Sequence, residues 1–204
     1  MQAAYHGRYS YDLVDEDSFE KAWERALSYD GFNITAPYKL KAAAMLGMES
    51  PVNLIIPADS GLKGFNTDID GVEQALNVPR GKAAVIGTGG AALAAKAALK
   101  RLGCETILMA GRNPLKADVA LDSIPSDIDI MVYTLPGNAP VPEHLPTENA
   151  IVLEAEYKEP RLAGIACKQY ISGKIWLLHQ AITGFRLFTG EEPDIEKMKE
   201  VLGL

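Results

Sequence analysis

The chain has 204 residues, enough for two small domains or one large α/β domain; 48% are hydrophobic and 23% charged, as in ordinary globular proteins. The net charge is −7 with acids spread along the sequence, and no Lys/Arg stripe is available to neutralise phosphates, which argues against a nucleic-acid partner. No apolar run approaches the length that spans a bilayer.

In chain order, "RYSYDLV" at 8–14 alternates aromatic and polar residues as a half-buried strand does. "DEDSFEKAWERALSYD" then sets Phe19, Trp23 and Ala26 at helical spacing, with acids in the first turn. "GFNITAP" reads as a short strand ended by Pro37, and "KLKAAAML" as a helix. Two extended runs in "PVNLIIPADSGLKGFNTD" flank the turn-rich "ADSG" and predict a hairpin. "GVEQALNVPRGK" predicts a helix that stops near Asn77, with "VPRG" as a linker. From about residue 81 the texture changes. "AAVIGTGGAALAAKAALKRLG" reads as strand, glycine turn and long helix, and "ETILMAGR", "DIDIMVYTL" and "AIVLEAEY" read as further strands. Short apolar strands alternating with helical stretches predict a doubly wound parallel sheet.

The N-terminus "MQAAYHGRYSYDLVDED" lacks a basic n-region and an apolar h-region, so no signal peptide is expected. Cys104 and Cys167 form no C-x-x-C and read as buried, reduced thiols of a cytoplasmic protein. His6, His144 and His179 are scattered, and no metal site is expected.

The strongest local signal is "VIGTGGAALAA", with Gly87, Gly89 and Ala92 in a G-x-G-x-x-A pattern after an apolar strand and opening a helix. Gly87 permits the tight turn, Gly89 lets the backbone approach a pyrophosphate, and Ala92 allows close packing of helix on strand. The amides at the helix N-terminus then face the phosphates. NAD sites carry an acid at the end of the next strand. Here "LMAGRNPLKA" places Arg112 there, with Lys116 one turn on. Arg112 can stack on an adenine and pair with a 2′-phosphate, which favours NADP. The alternative is two solvated surface cations.

"GFNITAPYKLKAAAML" poses a separate question, because Lys39 stands at the mouth of a helix, where the dipole makes a positive charge least welcome. Lys39 is either an ordinary solvated side chain or a group whose proton is used. A partly desolvated lysine at a helix N-terminus can exchange a proton with a carbonyl or alcohol oxygen, as reduction of a ketone requires.

Several blocks together resemble the shikimate dehydrogenase family, over nearly the whole chain. "GFNITAPYK" is similar to that family's G-[FL]-N-V-T-x-P-x-K, "PVN" at 51–53 to A-V-N, and "GFNTDIDGV" at 64–72 to G-x-N-T-D-x-x-G. "GTGGAA" resembles its glycine loop, "GRNPLKA" its N-R-T-x-x-K-A, and "GKIWLLHQAITGFRLFTGEEPD" at 173–194 its closing block. The resemblance implies a small N-terminal α/β substrate domain at 1–79, completed by 180–204, and a Rossmann-type NADP-binding domain at 80–179. It also implies a C-terminal helix returning to the first domain, with the active site in the cleft between the two. Lys39 would be the catalytic lysine and Asp68 its partner. Thr35, Asn53, Asp68 and Gln180 would hold the hydroxyls of the substrate ring, and Tyr157 would line the same pocket. Gly87, Thr88, Gly89, Gly90, Ala91, Arg112, Asn113, Lys116 and Gly173 would hold NADP, with Trp176 also bordering the nicotinamide. The reaction implied is reversible hydride transfer between NADPH and 3-dehydroshikimate, giving shikimate.

The sequence also departs from the family. Its H-S-x-S-P segment, whose two serines hold the substrate carboxylate, and the strand before it have no counterpart in "MQAAYHGRYSYD". Two hydrogen bonds to a carboxylate contribute about 1.5–3 kcal/mol each. Tyr9 or Tyr11 is a candidate replacement. Tyr133 and Gly111 stand where the family has asparagine, and Trp176 where it has methionine. Two readings follow: an NADP-dependent dehydrogenase of shikimate or a similar polyhydroxy acid such as quinate, or a degenerate member that binds nucleotide or small molecule without turnover, in a regulatory or partner-completed role. Retention of Lys39 and Asp68 favours the enzyme. A homodimer is compatible with the sequence, which sets no oligomeric state.

Overall fold

In a computed structural model of the chain, which describes residues 7–77 and 81–204, the residues pack as two compact units: Met1–Thr67 with Gln180–Leu204, and Asp68–His179. The linker expected at "VPRG" falls largely on residues 78–80, outside the described residues.

The first unit is built on a three-stranded antiparallel sheet, β1 (Phe32–Asn33), β2 (Leu54–Ala58) and β3 (Gly61–Phe65), in the order β1-β2-β3. β2 and β3 form the hairpin expected at "ADSG", with Ala58 opposite Gly61, whose φ of 121° suits a residue without Cβ. Helix α1 (Phe19–Ala26) starts at Ser18, whose side chain accepts from the Lys21 amide, and it buries Phe19, Trp23 and Ala26 on one face. Phe19 and Trp23 meet Ala42 and Ala43 of α2 (Lys39–Met45) and Val52 and Ile55 around β2. Trp23 packs edge-on against Phe32 at 5.7 Å between ring centroids. Burial of each such aromatic contributes about 1.5–3 kcal/mol, so this small cluster supplies much of the unit's cohesion. One expectation fails here. Residues 8–14 form no strand, because β1 ladders with β2 alone and no neighbouring strand among the described residues takes up their backbone groups.

The second unit holds five parallel strands, β4 (Lys82–Ile86), β5 (Thr106–Ala110), β6 (Ile130–Tyr133), β7 (Ile151–Glu154) and β8 (Gln169–Ile171), in the order β5-β4-β6-β7-β8. All four residues of β6 and of β7 are buried, as in a parallel sheet covered on both faces. One face is covered by α3 (Thr67–Leu76), α4 (Gly90–Arg101) and the start of α5 (Gly173–Thr189), through Val72, Leu76, Leu99 and Trp176 among others. Val72 and Leu76 thus place α3 in the core of this unit rather than with the hairpin that precedes it. The other face is covered by Ile128, Leu162 and partly buried residues of the connecting segments, where no helix forms. Chain order reverses at β4, between β5 and β6. Ligands of such sheets bind at that reversal, outside the carboxyl ends of the strands. The chain ends in α6 (Ile195–Leu202), capped by Asp194. No helix among the described residues is long and apolar enough to cross a membrane.

Candidate active site

The carboxyl end of β4 carries the glycine motif. Gly87 has φ 124°, and a Cβ there would stand 2.4 Å from Oγ1 of Thr134, the residue after β6. Only glycine lets the chain turn at this point of the crevice. Thr134 Oγ1 donates to the Ile86 carbonyl at 2.8 Å, which fixes the other wall. Gly89 is the N-cap of α4 and offers its amides no side-chain acceptor, and nothing lies within 4 Å of where its Cβ would be. The first turn of α4 contains no acid. An uncapped helix end, open to close approach and free of negative charge, fits the pyrophosphate of a dinucleotide. Thr88, Gly90 and Ala91 complete this turn, and Ala92 is fully buried against the sheet.

After β5 the chain passes Gly111, whose absent Cβ would meet Thr88 Cγ2 at 2.8 Å. Asn113 organises the loop: its Oδ1 accepts from the Leu115 amide at 2.9 Å and its carbonyl from Lys116 and Ala117, each at 3.0 Å. Arg112 and Lys116 are both exposed here, available to a 2′-phosphate. At β7, Glu154 is fully buried and accepts from the amides of Arg161 (2.6 Å) and Leu162 (3.1 Å) and the Tyr170 hydroxyl (2.7 Å). Gly173 opens α5 so close to this strand end that a Cβ would stand 2.6 Å from the carbonyl oxygens of Glu154 and Ala155. Tyr133 is buried with no hydrogen-bond partner for its hydroxyl, and burial first, then the charge of Glu154, raises its pKa. Tyr157 follows β7 at the surface. Asp68 is buried in the first turn of α3, where the helix dipole favours a carboxylate.

In the first unit, Lys39 is the half-buried first residue of α2, whose N-cap Tyr38 makes no side-chain capping bond. Lys41, two residues on, is engaged by Glu20 at 2.5 Å. Asn53 is buried, and its Oδ1 accepts from the Thr67 amide at 2.8 Å while its Nδ2 donates to Thr67 Oγ1 at 3.0 Å. Thr67 Oγ1 donates in turn to Gln180 Oε1 at 3.1 Å. Two residues expected to hold substrate hydroxyls, Asn53 and Gln180, are therefore brought together through a third, Thr67, that the sequence reading did not single out. The network extends outward. Asn33 Nδ2 donates to the Asn53 carbonyl at 3.0 Å, and the Tyr11 hydroxyl donates to Asn33 Oδ1 at 2.6 Å. Tyr11, Asn33 and the exposed Thr35 line one cavity of about 570 Å³, between residues 10–16, α1 and residues 31–36. Burial raises the pKa of Tyr11, which keeps its phenol neutral. Among the described residues no three His, Cys, Asp or Glu side chains are grouped to hold a metal.

The C-terminal domain of shikimate 5'-dehydrogenases matches residues 177–202. A shikimate dehydrogenase (NADP(+)) of Halobacterium salinarum is 30% identical, with 87% of this chain and 79% of that protein covered. One of Bacillus cereus is 29% identical, with 99% and 87% covered. Among solved structures, shikimate 5-dehydrogenase of Thermus thermophilus in complex with NADP(H) and shikimate is 26% identical with a TM-score of 0.71, over 88% of this chain and 80% of that one. The shikimate dehydrogenase of Mycobacterium tuberculosis is 30% identical with a TM-score of 0.68, over 85% and 77%. With its open glycine turn, its parallel sheet and relatives of this identity over most of their length, the chain belongs to the shikimate dehydrogenase family.

Proposed function

We infer that the protein is an NADP-dependent shikimate dehydrogenase, catalysing the reversible reduction of 3-dehydroshikimate to shikimate in aromatic amino acid biosynthesis. The observation that carries this reading is the Asn53–Thr67–Gln180 cluster. Three polar side chains held in place by hydrogen bonds match a ligand rich in hydroxyls.

The chemistry that NADP supplies when bound is hydride transfer to or from the ring carbon. Gly87 to Ala91 would receive the pyrophosphate at the α4 amides, and Arg112 and Lys116, in the loop that Asn113 organises, would take the 2′-phosphate. Gly173, where a Cβ would meet the Glu154 and Ala155 carbonyls, would keep the start of α5 slim beside the cofactor. Thr35, Asn53 and Gln180 hold the ring hydroxyls, with Asp68 and Tyr157 as further substrate contacts. Lys39 gives its proton to the carbonyl oxygen in reduction and recovers it from the alcohol in oxidation, with Asp68 as its partner carboxylate. Cys104 and Cys167 are both free thiols, which supports a reducing compartment, the cytoplasm. The test is spectrophotometric: shikimate and NADP⁺ should give NADPH with the native chain, and far less with Lys39→Ala.

A further inference from the structure

Tyr11 stands in a segment without helix or strand, yet that segment is tied down at both ends and near its centre. Arg8 pairs with Glu191 at 2.7 Å, and Glu16 with Arg25 at 2.9 Å. Between these ties the Tyr11 hydroxyl lies 2.6 Å from Asn33 Oδ1. The direction of that bond is fixed by the next one. Asn33 Nδ2 lies 3.0 Å from the Asn53 carbonyl, which accepts and cannot donate. The amide nitrogen must face that carbonyl, so the amide oxygen faces Tyr11 and the phenol is the donor.

The Asn53 carbonyl receives a second donor, the Ile34 amide, at 2.8 Å, and the Asn53 amide donates to the Phe65 carbonyl at 2.9 Å. β1 is only two residues long, so its ladder with β2 is short, and the Asn33 side chain adds a bond at its end. The Asn53 backbone is thereby pinned where its side chain reaches Thr67. The terminal torsion of an asparagine has two broad wells. Without a donor at Oδ1, the Asn33 amide is free to turn over and set its oxygen against the Asn53 carbonyl.

We propose that Tyr11 is a positioning residue for the substrate ring: by donating to Asn33 it holds that amide in the one orientation that anchors the Asn53 backbone, and so sets the Asn53 side chain for a ring hydroxyl. Tyr11 acts through Asn33 and not on the substrate carboxylate. The inference deepens the dehydrogenase reading, on which its choice of ligand rests.

The experiment compares Tyr11→Phe, Asn33→Ala and the double variant, each in the full chain, by calorimetric titration with shikimate and with its methyl ester, and by initial rates. Tyr11→Phe should weaken binding of acid and ester alike by about three- to tenfold, as loss of one neutral hydrogen bond does. KM for shikimate should rise by the same factor, with kcat changed less than twofold and NADP affinity unchanged. Added to Asn33→Ala, Tyr11→Phe should cost nothing more, because both changes remove one linked interaction. Unchanged shikimate affinity in Tyr11→Phe, a loss confined to the acid, a fall in kcat as large as that in kcat/KM, a further loss in the double variant, or no shikimate binding by the native chain would overturn the proposal. The expected pattern of binding without NADPH formation would leave it standing and overturn the dehydrogenase reading instead.

Discussion

The Thr67 hydroxyl lies 3.1 Å from Gln180 Oε1 and 3.0 Å from Asn53 Nδ2, joining residues far apart in sequence in one buried cluster. Thr67→Val keeps the shape and removes the hydroxyl, which strands the Asn53 amide. The expected cost is about 1–3 kcal/mol of stability, or a melting temperature lower by about 2–4 °C per kcal/mol. The shikimate KM should rise at the same time, and Thr67→Ser should restore both. Thermal melts and initial rates on the two variants decide this.

Lys39 is assigned the proton transfer. Lys39→Ala should lower turnover by about 10²-fold or more, as loss of a positioned general acid–base group does, and leave NADP affinity nearly unchanged. An unaltered rate would identify Lys39 as an ordinary surface side chain.

NADP should bind at least tenfold tighter than NAD, a difference of about 1.4 kcal/mol, through Arg112. Arg112→Asp should remove that preference. Arg112 is exposed, so the substitution should leave the melting temperature in place. Equal affinity of the native chain for both cofactors, read by fluorescence titration, would count against the assignment.

Gly87→Ala places a Cβ 2.4 Å from Thr134 Oγ1 at φ 124°. Strain of about 1–3 kcal/mol and a narrowed crevice should follow. Lower stability together with lost NADP binding is the expected pair of results, from melts with and without cofactor.

The glycine turn and the hairpin at "ADSG" were legible because each depends on local spacing. Buried β6 and β7 were legible as apolar runs. β8 escaped notice because "QYI" is three residues long and its partner β7 is set by tertiary structure. "RYSYDLV" has the alternation of a strand, but alternation does not supply a neighbour, and without one the segment became a cavity wall. Thr67 stood inside a recognised block, yet its link to Gln180 spans 113 positions and exists only in the folded chain. Tyr11 was named as a candidate for the substrate carboxylate, and its hydroxyl donates to Asn33 Oδ1.

The most direct measurement is the absorbance of NADPH when the full chain meets NADP⁺ and increasing shikimate. The expected result is a shikimate-dependent rise that saturates only above the roughly 1 μM–1 mM range typical of KM values, since among the described residues no lysine or arginine lines the cavity beside Thr35. No NADPH at any shikimate concentration, from protein that binds NADP, would contradict the assignment as a dehydrogenase.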